Sequence, residues 1–241
     1  MLLRALPFLQ PGNGTARQGL EQPHPWRDYD RGELIADAIL HGLGLAFGLV
    51  ACGMLVVAIL PWGGRNPLGA LAILIYAAGL MAMLGCSALY NLTPSGTPRK
   101  GILRRCDRAA IFIMIAGTYT PFAGIAVGGL LGKGLLAGVW VAALAGAAKV
   151  LVGQPRHRQG IDVLLYLLLG WCGVVLVGPL SAVLSPRGLA LLGAGGVLYT
   201  AGTVFYLACR LPYHYAIWHA FVLGGAACHF IAVLRDIAPV G

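Results

Sequence analysis

The sequence predicts an all-α membrane protein, a bundle of seven transmembrane helices. Two observations carry that prediction. Apolar residues make up 59% of the chain and charged residues only 10%, where a soluble domain carries roughly a quarter charged residues. The apolar residues also gather into seven runs, at about 34–60, 68–91, 108–128, 130–152, 161–184, 188–209 and 213–235. Each run is close to the ~20 residues that a bilayer crossing requires.

Residues 1–32 are polar and rich in Pro, Gly and Gln, and they read as a flexible cytoplasmic tail. Residues 33–236 form the membrane domain, and 237–241 a short C-terminal tail. The apolar part of MLLRALPFLQPGNGT is too short for a cleavable signal peptide, so the first span is expected to direct insertion. Pro61, Pro67, Pro155, Pro186 and Pro212 sit between runs, where helix breakers belong. Pro121 and Pro179 fall inside runs and predict kinks or early helix ends. The third and fourth runs are parted only by a Gly-rich turn at 128–134. Glycines within the runs, as in GLGLAFG and LGAGG, allow the close helix approach of a tight bundle.

The net charge of +9 comes from residues flanking the spans. Thirteen of the 17 Lys and Arg residues fall on one side: Arg4, Arg17, Arg27, Arg31, Arg99, Lys100, Arg104, Arg105, Arg108, Lys149, Arg156, Arg158 and Arg210. Only Arg65, Lys133, Arg187 and Arg235 fall on the other. This asymmetry predicts a cytoplasmic N-terminus and an outside C-terminus, which argues against a rhodopsin-like receptor. No basic stripe is interleaved with aromatics, so nucleic acid is not an expected partner. The six cysteines are scattered singly, without CxxC or metal-ligand spacing, and read as small core residues.

Polar groups converge at the side where runs two, three and seven meet. Three of the six histidines, His214, His219 and His229, lie in RLPYHYAIWHAFVLGGAACHF, and an intramembrane histidine demands a partner. Ser87 with Asn91, and Tyr215 with His219, each share a helix face at i and i+4. Asp107 opens the third run, either as a site carboxylate or as a helix N-cap. Glu33, Asp37 and His41 share a face of the first run; they line a polar path or are N-terminal helix charges with one paired histidine. His229 lies about 15 Å along the helix from His219, too far for a shared metal, and is expected to bond another helix. His157 reads as a loop residue among basic anchors, and His24 falls in the tail. Trp218, beside His219, is placed to pack over the site.

SALYN, RRCDRAAIFIMIAGTYTPF, LYTAGTVFY and LPYHYAIWHAFVLGGAACHF resemble the signature segments of the hemolysin III family, the bacterial branch of the progestin and adipoQ receptor superfamily. The resemblance runs in order from Glu33 to Arg235. It implies seven helices, a cytoplasmic N-terminus and a site opening to the cytoplasm. It also implies a zinc ion on three histidines, with the third-helix aspartate, here Asp107, holding a water on the metal. This chain departs from that pattern. The family's Ser-x-x-x-His reads Ser87 to Asn91, and its His-x-x-x-His reads Tyr215 to His219. His219 is then a remnant zinc ligand, with Asn91 and Tyr215 at the other ligand positions. An amide or a phenol is a poor substitute for imidazole. His214, one residue early, could take the place of Tyr215, and Cys86 and Cys106 are near enough in sequence to contribute.

The leading expectation is an inner-membrane protein of lipid or membrane-fluidity homeostasis with a weakened or absent zinc site. Membrane lipids, or a lipid or fatty-acid ligand, are the expected partners. The resemblance also supports a zinc-dependent lipid amide hydrolase, with Asp107 and, secondarily, Ser87 as catalytic groups. Pore formation and a non-catalytic lipid receptor complete the alternatives.

Overall fold

Three helix starts among the described residues are set by side chains that satisfy the first free backbone N–H groups. The computed structural model describes residues 29–62, 64–153 and 159–238. Most of the expected N-terminal tail, His24, His157 and the last residues of the C-terminal tail lie outside the described residues. Helix α1 (Arg31–Ile59) begins in a capping box: Glu33 N–H donates to Asp30 Oδ1 at 2.7 Å, and Asp30 N–H donates to Glu33 Oε2 at 3.0 Å. Helix α2 (Pro67–Leu92) starts on Asn66, whose Oδ1 accepts the Gly69 N–H at 2.9 Å, with Pro67 at the first helical position.

Helix α3 (Lys100–Tyr119) starts well before the expected 108. Its first turns carry Lys100, Arg104 and Arg105, so hydropathy marks only the part that is apolar, not the part that is helical. Asp107 therefore lies inside a helix and is not its cap, a position held by Arg99. At Pro121 the α-helix gives way to a π-helical segment, Thr120–Val127, since proline has no N–H for the carbonyl four residues back. Gly128 (φ 59°) and Gly129 (φ 57°) then reverse the chain in a left-handed conformation that only glycine adopts cheaply.

Helix α4 (Gly129–Val152) returns across the bundle. Helix α5 (Gln159–Trp171) passes through a 3₁₀ stretch, Cys172–Leu176, into α6 (Val177–Ser181), the irregularity falling just before Pro179. Helix α7 (Pro186–Leu207) is capped by Ser185, whose Oγ accepts the Gly188 N–H at 3.0 Å, and α8 (His214–Asp236) closes the fold.

Seven helical segments are long and apolar enough to cross a membrane, and the described residues contain no strand. Leu49, Val57, Leu68, Leu130, Val141 and Val152 are largely exposed on the outside of the bundle. In water they would cost free energy; in lipid they face their own kind. Inside, Leu55, Ile73, Tyr76, Leu80, Phe230 and Val233 join α1, α2 and α8 in one core. Phe112, Tyr119, Val139 and Ala143 join α3 and α4 in a second, with Tyr166 of α5 against it.

Helix α1 packs on both α2 and α8, and α7 packs along α8. The α1–α8 contact is locked at one end. Glu33, which is buried, accepts the Tyr213 N–H on Oε1 at 2.7 Å, directly before α8. Tyr213 itself is held at φ 58°, an uncommon conformation for a residue with a Cβ. This tie fixes the depth at which α1 side chains meet those of α8.

Candidate functional site

Spans of alternating direction bring the starts of α1, α3, α5 and α8 and the ends of α2 and α7 to one end of the bundle. There a cavity of about 110 Å³ opens between them. Its wall is apolar at Leu40, Met83, Leu84 and Val222, and polar at Ser87, Asn91, Asp107, Tyr215 and His219. Such a polar group inside a membrane bundle is retained where it serves a site or a partner.

Asp107 comes from the second turn of α3 and is partly exposed, its free face being the cavity. Ser87 stands against its carboxylate. Asn91, one turn on from Ser87, donates from Nδ2 to the Ser87 carbonyl at 2.9 Å, with Ser87 Oγ at 3.4 Å. The Tyr215 ring lies between His214, at 4.3 Å between ring centroids, and His219, at 6.3 Å.

His214 is fully buried. Its Nδ1–H donates to the Phe205 carbonyl at 3.3 Å, which leaves Nε2 to accept from the Tyr29 hydroxyl at 3.0 Å. Burial pushes the Tyr29 phenol up, so it keeps the proton it donates. His214 is thus bound to Tyr29 and α7, and it does not line the cavity. His229 lies deeper in α8 and donates from Nε2 to the Leu192 carbonyl at 3.1 Å, the interhelical bond expected of it.

Helix α1 supplies what the sequence alone did not join to His219. Asp37 and His41 sit on one helical face, and Asp37 spans two imidazoles. Its Oδ1 accepts from His219 Nδ1 at 2.5 Å, and its Oδ2 lies 3.4 Å from His41 Nε2. The two imidazole rings are 4.4 Å apart between centroids. His41 and His219 both line the cavity that holds Asp107. The i, i+4 spacing of 37 and 41 was visible in the sequence; the partner on α8 was not.

Asp162 is a further polar residue at this end of the bundle, marked by neither helical spacing nor the family resemblance. It is buried in α5 beside the same cavity, 3.7 Å from Arg108 Nη1 and 3.8 Å from Lys149 Nζ. Neither carboxylate oxygen has a hydrogen-bond partner among the described residues. A lone acid inside the apolar run IDVLLYLLLG was the available signal.

Fold and site together define an integral, multi-pass membrane protein with a polar chamber set into one end of a seven-helix bundle. Residues 35–230 match the family model described as haemolysin-III related. The chain is 39% identical over 202 residues to "Hemolysin-3 homolog" of Bacillus subtilis (strain 168), covering 84% of this chain and 93% of that one. It is 35% identical over 207 residues to "Hemolysin-3" of Bacillus cereus, covering 86% and 93%. Similarity reaches "Monocyte to macrophage differentiation factor" of Homo sapiens, 28% identical over 169 residues, 67% of this chain and 68% of that one. The chain belongs to the hemolysin III family, and the animal relative supports the wider progestin and adipoQ receptor superfamily.

The zinc ion that the resemblance implies can be tested against these residues. At the implied ligand positions, Asn91 spends its amide N–H on its own helix and Tyr215 offers a phenol within a ring stack. Neither is a zinc donor of the usual kind, so the inherited ligand set does not fit. Ligand-type side chains that do stand together are Asp37, His41 and His219, one donor atom from each lying within 4.8 Å of the others.

Proposed function

We propose that this protein acts in membrane lipid or fluidity homeostasis from the plasma (inner) membrane, by holding a lipid or fatty-acid ligand in the cavity at its cytoplasmic end. The cavity carries this reading. Its volume suits a polar headgroup, and its Leu40, Met83 and Leu84 wall suits the first methylenes of an acyl chain. Arg104 and Arg108 stand at the same chamber and would offset a ligand's negative charge. The remaining acyl chain would leave between helices into the bilayer.

Membrane order and acyl-chain composition, measured in cells making the protein at matched levels, test this. The unaltered protein is expected to shift both, and Asp107→Ala or Leu84→Trp to abolish the shift. Equal shifts from all three would remove the cavity from the function.

A second reading, zinc-dependent hydrolysis of a lipid amide, is favoured by the Asp37, His41 and His219 group beside Asp107. A bound zinc would supply Lewis-acid activation of water and of the amide carbonyl. Asp107 would orient the water, and Ser87 would hold Asp107. Release of free fatty acid from lipid amides by the purified protein, lost in Asp107→Asn, would establish this reading over simple binding.

A further inference from the structure

Two of the three ligand positions implied by the family resemblance carry no imidazole in this chain, yet the third, His219, meets two further donors on α1. We propose that this protein binds a single divalent transition metal, zinc by its donors, on Asp37 and His41 of α1 and His219 of α8. Residues at i and i+4 of a helix project to one face, which lets two ligands of one metal come from a single helix, and α8 adds the third. Two imidazoles and a carboxylate are a donor set that zinc takes in sites with an open fourth position.

One donor atom from each side chain lies within 4.8 Å of the others, Asp37 reaching His41 from one carboxylate oxygen and His219 from the other. Donors at ~2.0–2.1 Å from a tetrahedral zinc lie about 3.3 Å from one another. Asp37 Oδ2 and His41 Nε2 are 3.4 Å apart, close to that value. Asp37 Oδ1 and His219 Nδ1 are 2.5 Å apart, held by a hydrogen bond. Metal entry would expel that proton and let the pair open by less than ~1 Å, so binding releases a proton.

An independent observation points the same way. His41 is 6% exposed, and its Nε2 makes no hydrogen bond among the described residues. Asp37 is its nearest charged neighbour, at ion-pair rather than hydrogen-bond geometry. A buried nitrogen left in that way costs free energy unless something else engages it. A metal between the imidazoles would engage it. The open fourth position would face the chamber, which His41 and His219 share with Asp107.

The assignment does not depend on a lipid role, because it is read from metal content alone. Full-length protein purified in detergent, saturated with zinc and then dialysed, is expected to retain about one zinc per chain. Asp37→Ala and His41→Ala should each weaken binding by at least ~100-fold, more than loss of an outer-shell partner does. Asn91→Ala and Tyr215→Phe should leave the stoichiometry unchanged. Substoichiometric zinc in the unaltered protein would overturn the proposal, as would zinc loss that follows Asn91 and Tyr215 instead of Asp37 and His41. Where a variant fails to fold, cobalt(II) added to the unaltered protein decides. Four-coordinate visible bands with nitrogen ligation support the site, and their absence contradicts it. A protein that binds zinc but leaves membrane order unchanged would sink the lipid reading and leave this one standing.

Discussion

Asp162 carries a carboxylate into a helix whose neighbouring side chains are apolar, and it is kept there by Arg108 and Lys149 rather than by hydrogen bonds. Removing one partner of a buried ion pair leaves the other charge uncompensated, at a cost of ~3–5 kcal/mol when burial is complete. Lys149 is partly exposed and Arg108 touches the chamber, so screening lowers that figure. Asp162→Asn is expected to cost about 2–3 kcal/mol, a fall of roughly 5–10 °C in the thermal midpoint in detergent. An unchanged midpoint would show the three charges to be independently solvated. The same scale marks the limit of what the sequence disclosed. Asp107, Ser87, Asn91, Tyr215 and His219 all line one chamber, and helical spacing with the family resemblance pointed to each. Asp37 and His41 were visible only as one face of one helix. Their meaning depends on α8 packing against α1, a contact between residues about 180 apart in the chain. Periodicity describes a helix's face but not the helix it meets.

Helices in this bundle are positioned by their ends. Glu33 both closes the α1 capping box and receives the Tyr213 N–H, so one side chain sets the starts of α1 and α8. Capping residues contribute ~1 kcal/mol each, and a lost hydrogen bond to a charged group adds ~1.5–3 kcal/mol. Glu33→Ala is therefore expected to destabilise the protein by about 2–3 kcal/mol and to weaken the Asp37–His219 pairing. Thermal unfolding would read the first effect, and the His219 ring resonances of selectively labelled protein the second. A stability loss with unshifted His219 resonances would mean that the α1–α8 register is held elsewhere. The number of spans and the prolines between them followed from hydropathy and the missing proline N–H. The early start of α3 did not, because a helical turn rich in arginine at a membrane surface has the same composition as a loop.

At the scale of the molecule, seven spans with apolar side chains facing outward place the chain across a bilayer, and its polar chemistry is gathered at one end. Among the described residues, the bundle end that holds the chamber also bears most of the Lys and Arg residues. By the positive-inside bias that end is expected at the cytoplasm. The central claim is that this chamber receives a lipid. A photoreactive fatty acid, crosslinked to the protein in native membranes and mapped by peptide mass spectrometry, tests it most directly. The account predicts adducts on chamber residues such as Met83, Leu84 and Val222, diminished in Leu84→Trp. Adducts confined to outward-facing residues such as Leu71, Leu130 and Val141, and unchanged in that variant, would contradict it.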